Sequence, residues 1–253
     1  MINIALVGAN GKMGQVISRL ASDCDDAKIV CGVDVNTAIK NDFPVYTSLK
    51  DSKESFDVII DFSHPSALEG TLSYAVSENK AVVLATTGLS AEQMELIKEA
   101  SDKTAVFFSA NMSLGINLII DLVKKATTIL QDGFDIEIIE KHHNQKIDAP
   151  SGTALAIADA INETCDKSNE YVYDRHSSRK KRSKNEIGIH SLRGGTIVGE
   201  HSVIFAGNDE FIEIKHTATS KEIFAVGAIK AAKFLSGKPA GFYGMNDLIK
   251  ETI

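Results

Sequence analysis

Short apolar runs that stop at glycine or at a polar turn recur through the first hundred residues. Ile2–Val7 is one, of the kind that forms a buried parallel strand, and Gly8-Ala9-Asn10-Gly11-Lys12-Met13-Gly14 follows it. Val16, Ile17 and Leu20 then recur at helical spacing, and a second apolar run, residues 29–33, ends at Asp34. Further strands are expected at residues 58–63, 81–85 and 105–108. The first ends in a turn closed by Pro65, with a helix to follow over about residues 66–79. Ser90 with Gln93 three residues on reads as a capping box opening another helix. Strand alternating with helix implies an α/β, Rossmann-type dinucleotide-binding domain with a parallel sheet.

Within that domain the glycines fall at 8, 11 and 14, a looser spacing than G-x-G-x-x-G. Glycines there let the backbone approach a pyrophosphate whose charge rests on the helix N-terminus, and Asp34 is spaced to accept ribose hydroxyls. Cofactor contacts are therefore expected from Gly8, Ala9, Asn10, Gly11, Lys12, Met13 and Asp34. Ligands bind outside the carboxyl ends of strands in an open α/β sheet. That rule adds Ala85, Thr86 and Thr87, and then Ser109, Ala110, Asn111 and Met112, to the cofactor wall.

After about residue 113 the pattern changes. Residues 116–130 read as one long helix, and 134–140 as a strand with Phe134, Ile136 and Ile138 on its buried side. A polar segment, residues 166–185, precedes three strand-like runs at 186–191, 196–205 and 210–216. This is α+β organisation with a mixed or antiparallel sheet. Residues 225–235 are then expected as a helix, and the end of the chain to return to the first domain. The boundaries inferred are 1–113 with 224–253 for the dinucleotide-binding domain, and 114–223 for a substrate-binding and oligomerisation domain.

Composition narrows the function classes. With 253 residues, 43% apolar and 24% charged, the chain has room for a proper core, and no run approaches the roughly 18 apolar residues of a membrane span. The N-terminus lacks the basic region of a secretory signal, so the cytoplasm is expected. Cys24, Cys31 and Cys165 are odd in number and lie outside any C-x-x-C spacing, arguing against a disulfide framework and a zinc site. A net charge of −7 disfavours nucleic acid as a partner. The basic run Arg179-Lys180-Lys181-Arg182 with Lys184 reads as a solvated loop.

Chemistry concentrates in residues 140–154, E-K-H-H-N-Q-K-I-D-A-P-S-G-T-A. His142 and His143 are candidate proton donors and Lys146 a fixed cation. Ser151-Gly152-Thr153 opens an apolar helix whose free amides favour an anion. A small acidic substrate fits this set. Other readings stand beside it. His143 serves equally well as a hydrogen-bonded structural histidine, and Lys146 as a surface lysine. Glu140, His142, His143 and Asp148 as metal ligands match no metal spacing, so no metal is expected. Arg193 can grip a carboxylate with two hydrogen bonds. His190, His201 and His216 read as supporting residues, and His64 as structural.

At this point a resemblance covers nearly the whole chain. V-G-A-N-G-K-M-G, D-F-S-H-P-S-A, T-T-G, the stretch 140–154, E-I-G-I-H-S-L-R-G-G-T-I-V-G-E-H and F-Y-G-M-N-D-L resemble the dihydrodipicolinate (4-hydroxy-tetrahydrodipicolinate) reductases. The resemblance implies hydride transfer from NADH or NADPH to C4 of a cyclic dicarboxylate, with loss of its hydroxyl as water, in the diaminopimelate route to lysine. It implies that His142 gives the proton and Lys146 polarises the substrate. His143, with Ser151, Gly152 and Thr153, is implied to hold the carboxylates, and the assembly to be a homotetramer built through the second domain's sheet. Three positions depart from the family's habit. Ala85 stands where glycine is common, Lys221 where arginine is, and Val35-Asn36-Thr37 follow Asp34 where a basic residue pairs with a 2′-phosphate. NADH is accordingly expected to serve at least as well as NADPH. The rival readings are an aspartate or homoserine dehydrogenase type, and a nucleotide sensor indifferent to loss of His142 and Lys146.

Overall fold

The computed structural model describes residues 1–252, and the chain forms two compact units. One comprises Met1–Leu114 and the residues from Glu222 on; the other is Gly115–Lys221.

The first unit runs β1 (Ile2–Val7), α1 (Lys12–Ser22), β2 (Ala27–Val33), β3 (Val45–Tyr46), β4 (Val58–Asp61), α2 (Leu68–Ser77), β5 (Ala81–Leu84), α3 (Ala91–Ser101) and β6 (Ala105–Phe108). After the second unit come α6 (Glu222–Leu235), β12 (Gly241–Tyr243) and α7 (Met245–Thr252). Its sheet is parallel throughout, in the order β12-β6-β5-β4-β1-β2-β3. The strands are apolar run by run because both faces are covered. Ile4 and Leu6 face a core shared with Ile17 of α1 and Ala228 and Leu235 of α6. Ala5 and Val7 face Leu72 of α2 and Ile97 of α3. The strand order reverses at β1 and β4, the place where such sheets leave a crevice for a ligand. Gly8 sits there with φ +80°, and a Cβ would lie 2.9 Å from the Phe62 carbonyl oxygen, so both its conformation and its space exclude a side chain. The C-terminal return expected from the sequence is present as β12, which pairs with β6. The Ser90–Gln93 capping box is present as well.

The second unit runs α4 (Leu114–Leu130), β7 (Asp135–His142), α5 (Gly152–Thr164), β8 (Glu170–Val172), β9 (Glu186–Arg193), β10 (Gly199–Ala206) and β11 (Phe211–Ala218). Its sheet order is β11-β10-β7-β9-β8 and it is mixed. β10 runs antiparallel to β7 and β11, whereas β9 is parallel to β7 and to β8. The segment 166–185 is thus not wholly irregular. β8 is only three residues, too short to show a period of two. Arg182, read as part of a solvated loop, is instead anchored. It donates to Glu137 (3.0 Å), to Asp135 (2.9 Å) and to the carbonyls of Ile136 (3.1 Å) and Glu186 (2.6 Å). A guanidinium satisfies several acceptors at once, which a run of like charges conceals.

The parity of β7 shapes the polar cluster at its end. Its buried positions alternate strictly through Ile136, Ile138, Glu140 and His142. A carboxylate and an imidazole therefore continue the core-facing row. Among the described residues no helix is long and apolar enough to cross a membrane.

The close approach of α6 to the turn after β6 is checkable by substitution. A Cβ on Gly227 would lie 1.8 Å from the Met112 carbonyl oxygen, which is backbone and has little room to give. Gly227→Ala is expected to lower the unfolding free energy by about 1–3 kcal/mol in a denaturant titration. An unchanged midpoint would mean that the turn yields.

Candidate active site

In the second unit the polar row at the end of β7 meets two other elements. The Glu140 side chain is wholly inaccessible to solvent. Its Oε2 accepts from Arg193 Nη1 at 2.8 Å and stands 2.6 Å from His142 Nδ1. Its Oε1 accepts from Arg193 Nη2 at 2.6 Å and from the Ser151 amide at 3.1 Å. The partners arrive by register and by capping. Arg193 is paired with His142 where β9 runs beside β7, and Ser151 is the N-cap of α5, its Oγ accepting from Ala154 N at 3.2 Å. Burial would raise the Glu140 pKa; Arg193, His142, Ser191 and the Ser151 amide outweigh it and hold the carboxyl at about 2. Arg193 does grip a carboxylate with two hydrogen bonds, but the carboxylate is the protein's own. Its Nη2 also donates to the Asp148 carbonyl at 2.6 Å.

His142 is 8% exposed. Burial lowers its pKa, and the Lys146 and Arg193 cations act in the same direction against the Glu140 charge. An ionised carboxylate only accepts, so Nδ1 carries the hydrogen and Nε2 is the nitrogen free to exchange a proton. A Cβ on Gly199 would stand 3.1 Å from Nε2, so glycine there keeps space beside that atom. His201 packs edge-on to His142 with ring centroids 5.2 Å apart, and its Nε2 lies 3.1 Å from Ser151 Oγ.

Lys146 closes a turn whose amide donates to the His143 carbonyl, and its ammonium meets Asp148 Oδ1 at 2.8 Å. Asp148 is held below the usual carboxylate range first by Lys146, with the Gly152 amide contributing. The anion cradle at the start of α5 is thus engaged by a carboxylate of this chain. The Cβ position of Gly152 faces open space. His143 is half-buried and leads into the turn. Among the four residues weighed as metal ligands, Glu140 is clamped by Arg193 and Asp148 by Lys146. His190 donates toward Glu137 at 2.8 Å, away from this cluster.

In the first unit the glycine loop spends most of its amides on the end of β2. Gly8 and Ala9 donate to the Val33 carbonyl, Gly11 to Gly8, and Asn10 to Asp34 Oδ2 at 2.9 Å. The donors left for an anion are those of the first turn of α1. Gly11 caps that helix without a side chain, no acid stands in its first turn, and its first ladder bond runs from Gln15 to Gly11. Lys12, Met13 and Gly14 therefore present the unspent end, which fits a pyrophosphate. A Cβ on Gly14 would come within 2.1 Å of the Gly8 oxygen, so the helix can lie on the loop only with glycine. Asp34 also accepts from Asn36 N at 2.9 Å, which leaves lone pairs for a ribose hydroxyl. Asn10 is tied to Asn36 (2.5 Å) and Asn41 (2.8 Å). Ala85 and Thr86 are buried and Thr87 is exposed at the end of β5. Beyond β6, Ser109 Oγ donates to the Asn111 carbonyl, Ala110 is exposed and the Met112 side chain is buried. His64 Nδ1 accepts from Ser66 N at 3.2 Å.

Comparison with known proteins gives a consistent picture. Residues 2–112 match the family described as dihydrodipicolinate reductase, N-terminus, and residues 115–249 the family described as dihydrodipicolinate reductase, C-terminus. A 4-hydroxy-tetrahydrodipicolinate reductase of Caldanaerobacter subterraneus subsp. tengcongensis is 55% identical over 251 residues, 99% of each chain. That of Clostridium tetani is 52% identical, over 98% of this chain and 97% of its own. Among solved structures, the dipicolinate-bound dihydrodipicolinate reductase of Paenisporosarcina sp. TG-14 superposes with a TM-score of 0.84. It covers 98% of this chain and 99% of that one at 24% identity, a likeness of fold.

The buried histidine yields a prediction of pH dependence. Burial first, then the neighbouring His142, lower the His201 pKa from 6.5 to about 4. The unfolded chain therefore takes a proton that the native state refuses, and the stability gained by keeping His201 neutral is complete above the unfolded value. It is lost as pH falls from 6.5 to about 4. At about 1.4 kcal/mol per unit the loss reaches ~3 kcal/mol. Denaturant titrations at about pH 7 and about pH 4 should show a smaller drop for His201→Asn than for the parent. Equal drops would contradict this role for His201.

Proposed function

The chain belongs to the dihydrodipicolinate reductase family, and from that premise we propose that it reduces 4-hydroxy-tetrahydrodipicolinate to tetrahydrodipicolinate with the second unit's cluster as the reacting site. The observation that supports this most is the His142 ring, held at Nδ1 by a buried carboxylate and leaving Nε2 to deliver a proton.

Reduction at C4 with loss of the hydroxyl as water needs a hydride and a proton. When bound to the first unit, the reduced nicotinamide supplies the hydride. His142 supplies the proton from Nε2 as negative charge develops on the ring. To do so it must be an imidazolium, with Nδ1–H on Glu140 and Nε2–H toward the substrate. Its pKa is lowered in the free protein, so it gains that proton as the dianionic substrate approaches. Lys146 and the amides of Gly152 and Thr153 receive the substrate's carboxylates, with His143 and Ser151 beside them. Asp148 yields Lys146 in exchange, carboxylate for carboxylate.

The first turn of α1 would hold the pyrophosphate of a dinucleotide, and Asp34 would accept from its ribose hydroxyls. No basic residue follows Asp34 at positions 35–37, so a 2′-phosphate would meet a carboxylate without a cation beside it in the chain, leaving Lys12 and Lys40 as the cations that could receive it. We therefore read NADH as a cofactor at least as good as NADPH. The second unit's sheet has one face directed away from its own core, with Ile139, Leu192, Ile204 and Phe211 upon it. That face suits the interface of a cytoplasmic homotetramer.

Two kinetic experiments test the reading. His142→Gln is expected to lower kcat by roughly 10²–10⁴ with a smaller change in KM. A large rise in KM with kcat intact would make His142 a binding residue, and no change at all would favour a nucleotide sensor. For the cofactor, kcat/KM with NADH should equal or exceed that with NADPH. A preference for NADPH of about tenfold, worth about 1.4 kcal/mol, would overturn the assignment.

A further inference from the structure

We infer that Glu140, clamped by Arg193, is the positioning residue for His142: it fixes which ring nitrogen carries the transferable proton and ties that ring to the start of α5. The inference rests on the reading of His142 as proton donor.

Hydrogen-bond arithmetic at one carboxylate leads there. His142 Nδ1 and Arg193 Nη1 close on Oε2, Arg193 Nη2 and Ser151 N close on Oε1, and the Ser191 side chain adds a further hydrogen bond to the carboxylate. The carboxyl is inaccessible to solvent, so protein groups and not bulk water satisfy it. An oxygen at 2.6 Å that can only accept sets the tautomer of the ring opposite it. The hydrogen stays on Nδ1, and Nε2 becomes the nitrogen that loads and unloads. Gly199 has no side chain to crowd that atom.

Arg193 makes this arrangement usable. A buried carboxylate facing a histidine alone would hold the imidazolium tightly and oppose release of its proton. Here the bidentate guanidinium already balances the charge, so Glu140 orients the ring without trapping its proton. The Ser151 amide on the other oxygen couples the donor to the helix terminus that receives the substrate's carboxylate. A single side chain thereby sets the spacing of proton donor and anion cradle. A purely structural ion pair would hold β7 to β9 and do neither.

The test begins with the unaltered full-length protein. Nitrogen-15 NMR of the histidine rings, with the His142 signals assigned by their absence in His142→Gln, should show the neutral ring protonated at Nδ1. A ring protonated at Nε2 would overturn the inference without any variant of Glu140. Glu140→Gln offers an amide that can donate to Nδ1, and is expected to shift the hydrogen to Nε2. It should lower kcat by about 10²–10⁴ while KM changes by only a few-fold, and it should alter the pH profile of kcat. Glu140→Asp, which keeps the acceptor, should recover part of the loss. Unchanged kcat and tautomer in Glu140→Gln would make the carboxylate structural only. If Glu140→Gln fails to fold, the tautomer of the unaltered protein and the kcat of Glu140→Asp decide. Should His142→Gln retain full kcat, the donor reading fails instead, a result separate from the NMR outcome.

Discussion

A carboxylate without water must be satisfied by the protein, and Glu140 is such a carboxylate. Its donors come from the end of β7, the end of β9 and the first residue before α5, so three chain segments are drawn to one pair of oxygens. Removing one partner of a buried pair leaves an uncompensated charge, which costs far more than an exposed ion pair contributes. Local geometry in the second unit is therefore stiff where the proposed chemistry needs it: the His142 ring, the Ser151 amide and the Arg193 guanidinium share one anchor. Lys146 and Asp148, by contrast, form a partly exposed pair.

The first unit meets a different constraint, that of space. Gly8 and Gly14 allow backbone to pack on backbone where β1 turns into α1, and most loop amides are consumed in holding that turn. What remains for an anion is the uncapped first turn of α1. The two units thus meet different constraints, the first one of space and the second one of buried charge.

Much of this was legible in the sequence. The strand–glycine–helix unit, the alternating strands and the return of the C-terminus follow from apolar runs and turn residues, which are local signals. Residues 140–154 raise the expectation of a donor, a cation and an anion cradle by residue type alone. Glu140 itself had a signal, because it shares the parity of Ile136 and Ile138 and a charge in a core row must have a partner. The identity of that partner was not legible. Arg193 lies on another strand, and only the parallel register of β7 with β9 brings it opposite His142. The same holds for Arg182, whose acceptors on Asp135 and Glu137 are far away in sequence. The direction of β8 and β9 was hidden for the same reason, since pairing partners carry no local mark.

Nicotinamide-dependent reduction of a cyclic dicarboxylate is the activity proposed for this chain. Its most direct test is a coupled assay with the purified, unaltered protein. The substrate is generated in place from pyruvate and aspartate semialdehyde by its synthase, and oxidation of the reduced nicotinamide is followed by absorbance. The account predicts oxidation that requires the protein and the generated substrate together. Absence of oxidation with active synthase and either NADH or NADPH would contradict it.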